Sequence, residues 1–366
     1  MAGSGNSISG FIPFDIFQKQ VNEEYYSRKG RALYSDFYTL VQKCEKIAVA
    51  NSMEFHYRLV SAKSKGALPK EIHVHEYGIG NGQFAFNFLN SMKYLDEIEK
   101  TDFYSRIIYT LGDTSQKLLD QAKNSKFGKA HSAHLHFQLL DAGAALPFKS
   151  NSVHYIKTNE MYDDLPSKIL VRSETNGKLM EVFVKLGKGK TPLEKNYSEA
   201  KISSLPFARE AASLMSQIPE GYEVPINFGA AKNFQEINRI LSRDNFSLMQ
   251  FYDYGFLDLS EISATPKPFW NEFLAREYGG QYTMDVNFPF LSLAAKSLGF
   301  KFSAESISDY LARVFGQKFV QVDELLLSSS QLPKFSKKLL SKGFTQDFLK
   351  GQIFEEEPYF HATVSR

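Results

Sequence analysis

Apolar residues recur at helical spacing in the first part of the chain. They form two stripes: Phe14, Phe17 and Val21, then Phe37, Val41, Ile47 and Ala48. Apolar residues three or four positions apart line one face of an amphipathic helix. The pattern therefore predicts helices between residues 14 and 60, within a helical N-terminal segment over 1–70 that ends in the linker "KSKGALP".

From Glu71 to about Lys185 the pattern changes to short apolar runs separated by helical stretches. The runs are "IHVHEYG", "RIIYTLGD", "HLHFQLLDA", "SVHYIKTNE" and "LMEVFVKL", and the helical stretches include "FAFNFLNSMKYL" and "SQKLLDQAKN". Strands that alternate with helices are connected by right-handed crossovers and form a mainly parallel sheet. The sequence predicts an α/β core over residues 71–185.

The rest of the chain adds to this core. The run "FSLMQFYDYGF" at 246–256 predicts a later strand of the same sheet. Residues 186–240, with "SEAKISSLPFAREAASLMSQI", predict a helical insertion. Residues 241–366 are expected to hold the remaining core strands together with mixed substrate-side and C-terminal elements.

The stretch "HEYGIGNGQFAFNFL" at 75–89 predicts a glycine-rich turn from a strand into a helix. Such a turn lies at the carboxyl edge of a parallel sheet, where ligands bind. Gly78, Gly80 and Gly82 allow the backbone to approach a ligand closely, and Asn81 tolerates an unusual backbone angle. A plain tight turn remains the alternative.

The spacing of this turn departs from the fingerprint of dinucleotide-binding proteins. That fingerprint is G-x-G-x-x-G, and it uses a helix N-terminus for a pyrophosphate. Here the spacing is G-x-G-x-G, and Glu76 precedes the first glycine by two positions. A carboxylate beside the pocket favours a cationic ligand over a diphosphate.

Acids also follow the next two predicted strands. Asp113 ends "RIIYTLGD", where an acid in a nucleoside-binding sheet accepts the ribose hydroxyls, although it is also suited to capping the helix that follows. Asp141 follows "HLHFQLL" and is placed to accept the exocyclic amine of adenine, or is simply a loop acid. Acids at three successive strand ends favour a nucleoside site.

Composition excludes several classes of protein. The chain has 366 residues, 43% hydrophobic and 23% charged, with a net charge of +2, so it has no overall attraction for nucleic acid. A single cysteine, Cys44, fits a reducing compartment. No apolar run approaches the roughly 18 residues of a membrane span, and "MAGSGNSISG" lacks the pattern of a secretory or mitochondrial leader. The expected location is the cytoplasm, without a membrane or nucleic-acid partner.

The glycine turn, Asp113 and "DAGAALPFKSNSV" together resemble class I S-adenosylmethionine-dependent methyltransferases. The stretch "TNEMYDDLPSKILV" with "GKLMEVFV" is similar to the "NExxDxLP" signature of the MidA family, which includes the mitochondrial complex I assembly-factor methyltransferase. Weaker similarities follow in the family's order: "SDFYT", "QFYDYGF", "MDVNFPFLSLAAKSLGF" and "LPKFSKKLLSKGFTQDF". The resemblance implies a Rossmann-like sheet with N-terminal helices, a helical or mixed insertion and a C-terminal region.

The resemblance also implies S-adenosylmethionine as cofactor and a protein arginine side chain as methyl acceptor. The cofactor-binding residues that it implies are Glu76, Gly78, Gly80, Asn81, Gly82, Asp113, Thr114, Asp141, Ala142 and Asn159. Ile79 stands where the family has proline, Ser35 replaces a glycine, and the tract before "MDVNF" is shortened. The acceptor side is therefore less well matched, and two alternatives stay open: a methyltransferase of RNA or a small molecule, and a non-catalytic assembly factor.

Methyl transfer demands positioning and exclusion of water more than a covalent nucleophile. A guanidinium acceptor suits carboxylates, which accept two charge-assisted hydrogen bonds at once. Glu160 and Asp163 are the predicted catalytic carboxylates, with Asn159 nearest the cofactor. An acidic helix start, with Asp163 or Asp164 as its cap, is the structural alternative.

No metal site is expected from His131, His134 and His136, because the acid or cysteine companions of such a site are missing nearby. The expected partner is an arginine-containing protein substrate, and a homodimer is possible.

Overall fold

The computed structural model describes residues 10–29, 45–187, 194–273, 275–278, 280–315 and 359–366. Several predictions fall outside these ranges and are not discussed further: the stripe residues Phe37 and Val41, Cys44, "SDFYT" at 35–39, and "LPKFSKKLLSKGFTQDF" at 332–348.

Strands and helices alternate along much of the described chain. The strands are β1 (Ile12–Pro13), β2 (Ile72–Tyr77), β3 (Ile107–Asp113), β4 (Leu135–Leu139), β5 (Tyr155–Asn159), β6 (Lys168–Arg172), β7 (Leu179–Lys185), β8 (Glu194–Glu199), β9 (Glu223–Ile226), β10 (Leu248–Phe256), β11 (Ala275–Tyr278), β12 (Gln281–Met284), β13 (Val286–Asn287), β14 (Lys301–Ser306) and β15 (Tyr359–Ser365). The helices are α1 (Phe14–Lys29), α2 (Glu45–Ser64), α3 (Gln83–Glu99), α4 (Gln116–Asn124), α5 (Lys126–Ala130), α6 (Ala208–Met215), α7 (Phe228–Ile240), α8 (Ser260–Ala264), α9 (Lys267–Phe273), α10 (Phe288–Ser297) and α11 (Ile307–Phe315). A 3₁₀ turn spans Tyr104–Arg106.

The described residues form two compact units. We call the first the core unit; it comprises residues 45–160, 237–252, 300–315 and 359–366. The second, the insertion unit, comprises residues 10–29, 161–187, 194–236, 253–273, 275–278 and 280–299. The predicted boundaries at 70, 185 and 240 differ from these: residues 45–70 belong to the core unit, and the chain leaves that unit directly after Glu160 and returns to it at residue 237.

The sheet of the core unit has the strand order β14-β15-β10-β5-β2-β3-β4. The neighbours β10 and β5, β5 and β2, β2 and β3, and β3 and β4 are parallel, whereas β14 and β15 are antiparallel. The mainly parallel α/β sheet and the strand at 246–256 are thus confirmed. The chain runs outward from β2 to β3 and β4, then returns to β5 on the other side of β2. Ligands of such sheets bind at the carboxyl ends of the strands where the order reverses.

Aromatic packing holds helices α2 and α3 against this sheet. The ring of Phe88 on α3 lies 5.3 Å from that of Tyr155 on β5 and 5.9 Å from that of Tyr109 on β3, centroid to centroid. Phe55 on α2 lies 4.9 Å from Tyr155. Ring pairs at these distances contribute about 0.5–1.5 kcal/mol each beyond burial of their area. The contacts fix α3, whose first turn follows the glycine turn, on the sheet.

The insertion unit has an antiparallel sheet of order β1-β7-β6-β9, with β8 paired to β7. Helix α1 packs on it through Phe14 and Phe17, which are 1% and 5% exposed. The predicted helical stripe at the start of the chain is therefore confirmed. Strands β8 and β9 accompany α6 and α7, so the predicted helical insertion is a mixed one.

Strand β7, which corresponds to the run "LMEVFVKL", was expected in the mainly parallel sheet, and that expectation is wrong, because β7 lies beside β6 in the sheet of the insertion unit. The two strands pair antiparallel with each other, joined by the short turn at 173–178. Gly177 in that turn has φ +66°, and its N–H donates to the carbonyl of Ser173 over 2.8 Å. Parallel neighbours need a crossover of a dozen or more residues, and this connection is too short for one.

In the part of the chain that the structure describes, no helix combines the length and the apolar character that crossing a membrane requires.

Gly255 provides a test of the pairing of β10 with β13. It lies opposite Val286, and a Cβ at Gly255 would lie 2.0 Å from the Val286 carbonyl oxygen. Main chain inside a sheet cannot move aside easily, so we expect Gly255→Ala to lower the free energy of unfolding by about 3 kcal/mol or more. Urea denaturation measures this loss.

Gly299→Ala, in the same unit, is the control. Gly299 has φ +83°, and a Cβ there meets nothing within 4 Å, so the substitution costs only the left-handed conformation, about 1 kcal/mol. Equal losses in the two variants would contradict the described packing of β10 against β13.

Candidate functional site

The glycine turn after β2 has the open backbone that a ligand cradle needs. Gly78, Gly80 and Gly82 have φ of +70°, +55° and +77°, which side-chain-bearing residues rarely adopt. The Gly78 N–H donates to the Gly112 carbonyl over 3.0 Å, and the Gly82 N–H donates to the Ile79 carbonyl over 2.9 Å. A Cβ at Gly78 would meet nothing within 4 Å. The turn is thus tied to β3 and leaves space beside its first glycine.

Asn81 does not adopt the unusual backbone angle that the sequence suggested for it. Its φ is not positive, in contrast to the three glycines around it. Its side-chain Oδ1 accepts the N–H of Gln83 over 3.0 Å at the start of α3. The asparagine therefore satisfies a free donor in the first turn of the helix, and the glycines alone adopt the left-handed angles.

Asp113 fastens the end of β3 to the glycine turn. Its Oδ2 accepts the N–H of Ile79 over 3.2 Å, and its Oδ1 accepts the N–H of Ser115 over 2.8 Å. The helix-capping alternative does not apply to it, because Ser115 caps α4 by accepting the N–H of Leu118. Burial raises the pKa of Asp113 to about 6, although the backbone donors oppose the rise.

The residues after Asp113 and after β4 lie close to the carboxyl edge of the core sheet. Thr114 and Asp141 are exposed, and Ala142 is buried. Asp141 accepts the N–H of Gly143 over 2.7 Å, and the N–H of Leu140 donates to the Asp113 carbonyl over 3.0 Å. The ends of β3 and β4 therefore meet, which places these carboxylates on one edge of the sheet.

At the end of β5 the backbone is strained. Glu160 has φ +44°, and its N–H donates to the Tyr252 carbonyl over 2.8 Å. The preceding residue, Asn159, accepts the hydroxyl of Tyr359 over 2.6 Å. Non-glycine residues held in such conformations cost about 1–3 kcal/mol and concentrate at functional sites. The half-buried Glu160 thus stands where β5 ends, next to β2.

Glu76 is not the lone negative charge that the sequence led us to expect. Its Oε1 lies 3.1 Å from the ammonium of Lys157, and its Oε2 accepts the hydroxyl of Tyr109 over 2.9 Å. The signal for Lys157 was present in "HYIKTNE", where a lysine interrupts a strand that is otherwise predicted to be buried. Residues opposite each other on β2 and β5 cannot be identified before the strand order is known.

Asp163 belongs to the insertion unit and is held by its main chain. Its carbonyl accepts Gln18 Nε2 over 2.8 Å and the Met284 N–H over 2.9 Å, and its N–H donates to Asp253 over 3.3 Å. Residues 161–167 form a turn and a bend, so the predicted alternative of a helix start capped by Asp163 or Asp164 is wrong. The structure thus assigns Glu160 and Asp163 to different units.

A half-buried acid of the insertion unit was not predicted as a site residue. Asp285 lies 2.9 Å from Arg276, and burial raises its pKa to about 6 despite that cation. The sequence "MDVNF" had attracted attention only through its similarity to a family segment.

The histidines after α5 make ordinary structural contacts. His131 lies 2.9 Å from the Tyr104 hydroxyl, and His134 lies 3.0 Å from the Ile107 carbonyl oxygen, each through Nδ1. Within the described ranges, no group of three or more His, Cys, Asp or Glu side chains is arranged to hold a metal ion.

Comparison with known proteins gives a family match over more than half of the chain. A family described as "Putative S-adenosyl-L-methionine-dependent methyltransferase" matches residues 56–301. The match confirms the resemblance to MidA-like class I methyltransferases. No curated protein sequence matches the chain.

Solved structures share the fold. A protein from Burkholderia thailandensis in complex with S-adenosyl-homocysteine has a TM-score of 0.67 and 17% identity, covering 98% of this chain and 89% of that chain. A native structure of an uncharacterized protein from the same organism also has a TM-score of 0.67 and 17% identity, covering 98% and 88%. At this identity the likeness shows the fold alone.

The core unit fits S-adenosylmethionine on its own geometry. A Cβ at Gly78 would meet no atom within 4 Å, and this glycine lies at the edge where the strand order reverses, the place where such sheets bind ligands. Asp113 and Asp141 supply carboxylates there for hydroxyl and amine donors. Each of these carboxylates already accepts backbone N–H groups, which hold it in a fixed orientation.

The raised pKa of Asp113 predicts a dependence of stability on pH. Because its folded pKa of about 6 exceeds its ordinary 3.8, its contribution to stability is fully present below pH 3.8 and is lost as the pH rises through about 6. Asp113→Asn removes this loss. We expect the stability of the variant relative to wild type to increase by about 1–3 kcal/mol between about pH 4 and 7.5.

Urea denaturation at several pH values measures this difference. Asp141→Asn is the matched control, because it also replaces a strand-end carboxylate that accepts a backbone N–H but is exposed. If the free energies of unfolding of Asp113→Asn and wild type changed with pH by the same amount, Asp113 would carry no such burial cost.

Proposed function

The chain belongs to the family of S-adenosyl-L-methionine-dependent methyltransferases, and on that premise we propose that it methylates an arginine side chain of a protein. The observation that carries the acceptor assignment is the conformation of Glu160. A glutamate kept at φ +44° beside the cradle serves no evident need of the fold, since glycine would adopt that angle without strain.

When bound, S-adenosylmethionine supplies an electrophilic methyl group on a positively charged sulfur. In the proposed arrangement Asp113 accepts hydrogen bonds from the ribose hydroxyls, and Asp141 accepts one from the adenine amine. Gly78, Gly80 and Gly82 let the backbone lie close to the bound molecule. Thr114, Ala142 and Asn159 complete the proposed contacts at the ends of β3, β4 and β5.

The residues of the proposed acceptor site orient the guanidinium of the methyl acceptor and exclude water from it. The carboxylate of Glu160 would match the planar guanidinium with two parallel hydrogen bonds and would orient one nitrogen toward the transferable methyl group. Such a pair is strongest where water is excluded, and Glu160 is half-buried. Asp163 remains a predicted second carboxylate on sequence grounds.

We expect Glu160→Gln to separate cofactor binding from methyl transfer. The amide presents one acceptor in place of a charged pair, so transfer should fall by about a hundredfold or more, a loss typical of removing one strong electrostatic contact. The affinity for S-adenosylhomocysteine should change less than about threefold, because the substitution spares Asp113 and the glycines. Incubation of a cell lysate with labelled S-adenosylmethionine measures transfer, and calorimetry measures binding.

Glu99→Gln is the control, since Glu99 is an exposed glutamate of the same unit at the end of α3. Methylarginine in a labelled protein, identified by mass spectrometry, would support the proposal. If the label appears in nucleic acid or in a small molecule, the protein is a methyltransferase of that class and not of protein arginine. Binding without label in any fraction would favour a non-catalytic role.

A further inference from the structure

A buried ion pair lies within the sheet at the base of the cradle. Lys157 on β5 and Glu76 on β2 are paired across the two strands, with Nζ and Oε1 3.1 Å apart and side chains 2% and 1% exposed. The Lys157 ammonium also lies 4.1 Å from the centroid of the Phe84 ring in the first turn of α3. One lysine therefore contacts both elements that flank the glycine turn.

This pair is costly to the fold. Moving two charges out of water carries a desolvation cost that the attraction between them often fails to offset, and apolar residues of similar volume often serve a core equally well. Burial lowers the pKa of Lys157, while Glu76 opposes that effect. A charged pair retained where two apolar residues would pack has a use other than packing.

The position of the pair suggests that use. Glu76 precedes Gly78 by two residues, and Lys157 precedes Asn159 by two. A strand rises about 3.3 Å per residue, so both charges lie roughly 7 Å below the crevice where the cofactor binds. At that depth, inside a poorly polarisable sheet, one uncompensated charge changes the affinity for a charged ligand by about tenfold or more.

We propose that Lys157 sets the charge presented by the cofactor cradle, and thereby how strongly the protein discriminates between the sulfonium of S-adenosylmethionine and the neutral thioether of S-adenosylhomocysteine. Without Lys157, ionised Glu76 attracts the sulfonium. With Lys157, the pair is neutral and the donor gains no advantage from Glu76. The inference rests on the proposed function for its ligand, but not on the identity of the methyl acceptor.

Other titratable groups act on the pair and stay the same in every comparison. They are Tyr109 on β3, Tyr155 on β5 and Glu160 directly after β5. Burial raises the pKa of both tyrosines well above the ordinary value, so they remain neutral at the pH values used. Measurements at pH 7 and above also keep Asp113 mostly ionised, because its pKa is about 6.

The test is calorimetric titration of the full chain with S-adenosylmethionine and with S-adenosylhomocysteine at pH 7 and 8.5. In Lys157→Met the preference for S-adenosylmethionine over S-adenosylhomocysteine, measured as the ratio of their dissociation constants, should rise by about tenfold relative to wild type. The shift should be seen at both pH values. The ratio of the two dissociation constants for wild type should differ by less than about threefold between pH 7 and pH 8.5.

Two further variants make the sign of the effect testable. Glu76→Gln leaves Lys157 as the uncompensated charge. The preference for S-adenosylmethionine over S-adenosylhomocysteine should therefore fall by about tenfold at pH 7. The double variant should return the ratio to that of wild type. Lys93→Met, an exposed lysine of α3, is the control for loss of a lysine as such.

If the Lys157–Glu76 pair had a purely structural role, its loss would weaken the binding of both ligands by the same factor. Unchanged ratios in Lys157→Met and in Glu76→Gln, with both variants folded by circular dichroism, would overturn the inference and leave the proposed function intact. If Lys157→Met fails to fold, Glu76→Gln and the double variant decide the question. Absence of binding of either ligand to wild type would overturn the proposed function itself.

Discussion

The reversal of strand order between β2 and β5 is the constraint on which the rest of the core unit depends. The chain builds outward from β2 through β3 to β4, then crosses back to place β5 on the opposite side of β2. The connections that follow the two central strands therefore diverge from a shared edge and leave a crevice between them. The glycine turn after β2 and the strained Glu160 after β5 both stand at this edge, although they are distant in sequence.

Acids collect at that edge, and the fold manages their charges in different ways. Asp113 keeps its carboxylate oriented with two backbone donors, yet burial still raises its pKa. Glu76 is neutralised by Lys157 and accepts a hydrogen bond from the hydroxyl of Tyr109. Asp141 stays in water. A site that binds a cationic donor needs negative charge but must not bury too much of it unpaired, and this arrangement divides the charge between solvated, oriented and paired carboxylates.

Much of the core could be predicted from the sequence, because the relevant patterns are local. Strand-ending acids, the glycine turn and the alternation of strands with helices each occupy one continuous stretch. The pairing of β6 with β7 was missed because two apolar runs look alike whether their sheet is parallel or antiparallel, and only the short turn at 173–178 decides. Lys157 was missed because its partner lies on another strand, and the helix-capping contact of Asn81 because glycine-rich turns do not reveal which residue bonds to the helix.

The central claim is that the carboxyl edge of the core unit, around the end of β2, holds S-adenosylmethionine. Hydrogen–deuterium exchange of the whole chain, with and without saturating S-adenosylhomocysteine, tests it most directly because it reports on each segment of backbone. The account predicts slower exchange in peptides that cover 76–83, 113–115, 140–143 and 158–160, with little change in β6 to β9. Protection confined to the insertion unit, or none anywhere, would contradict it.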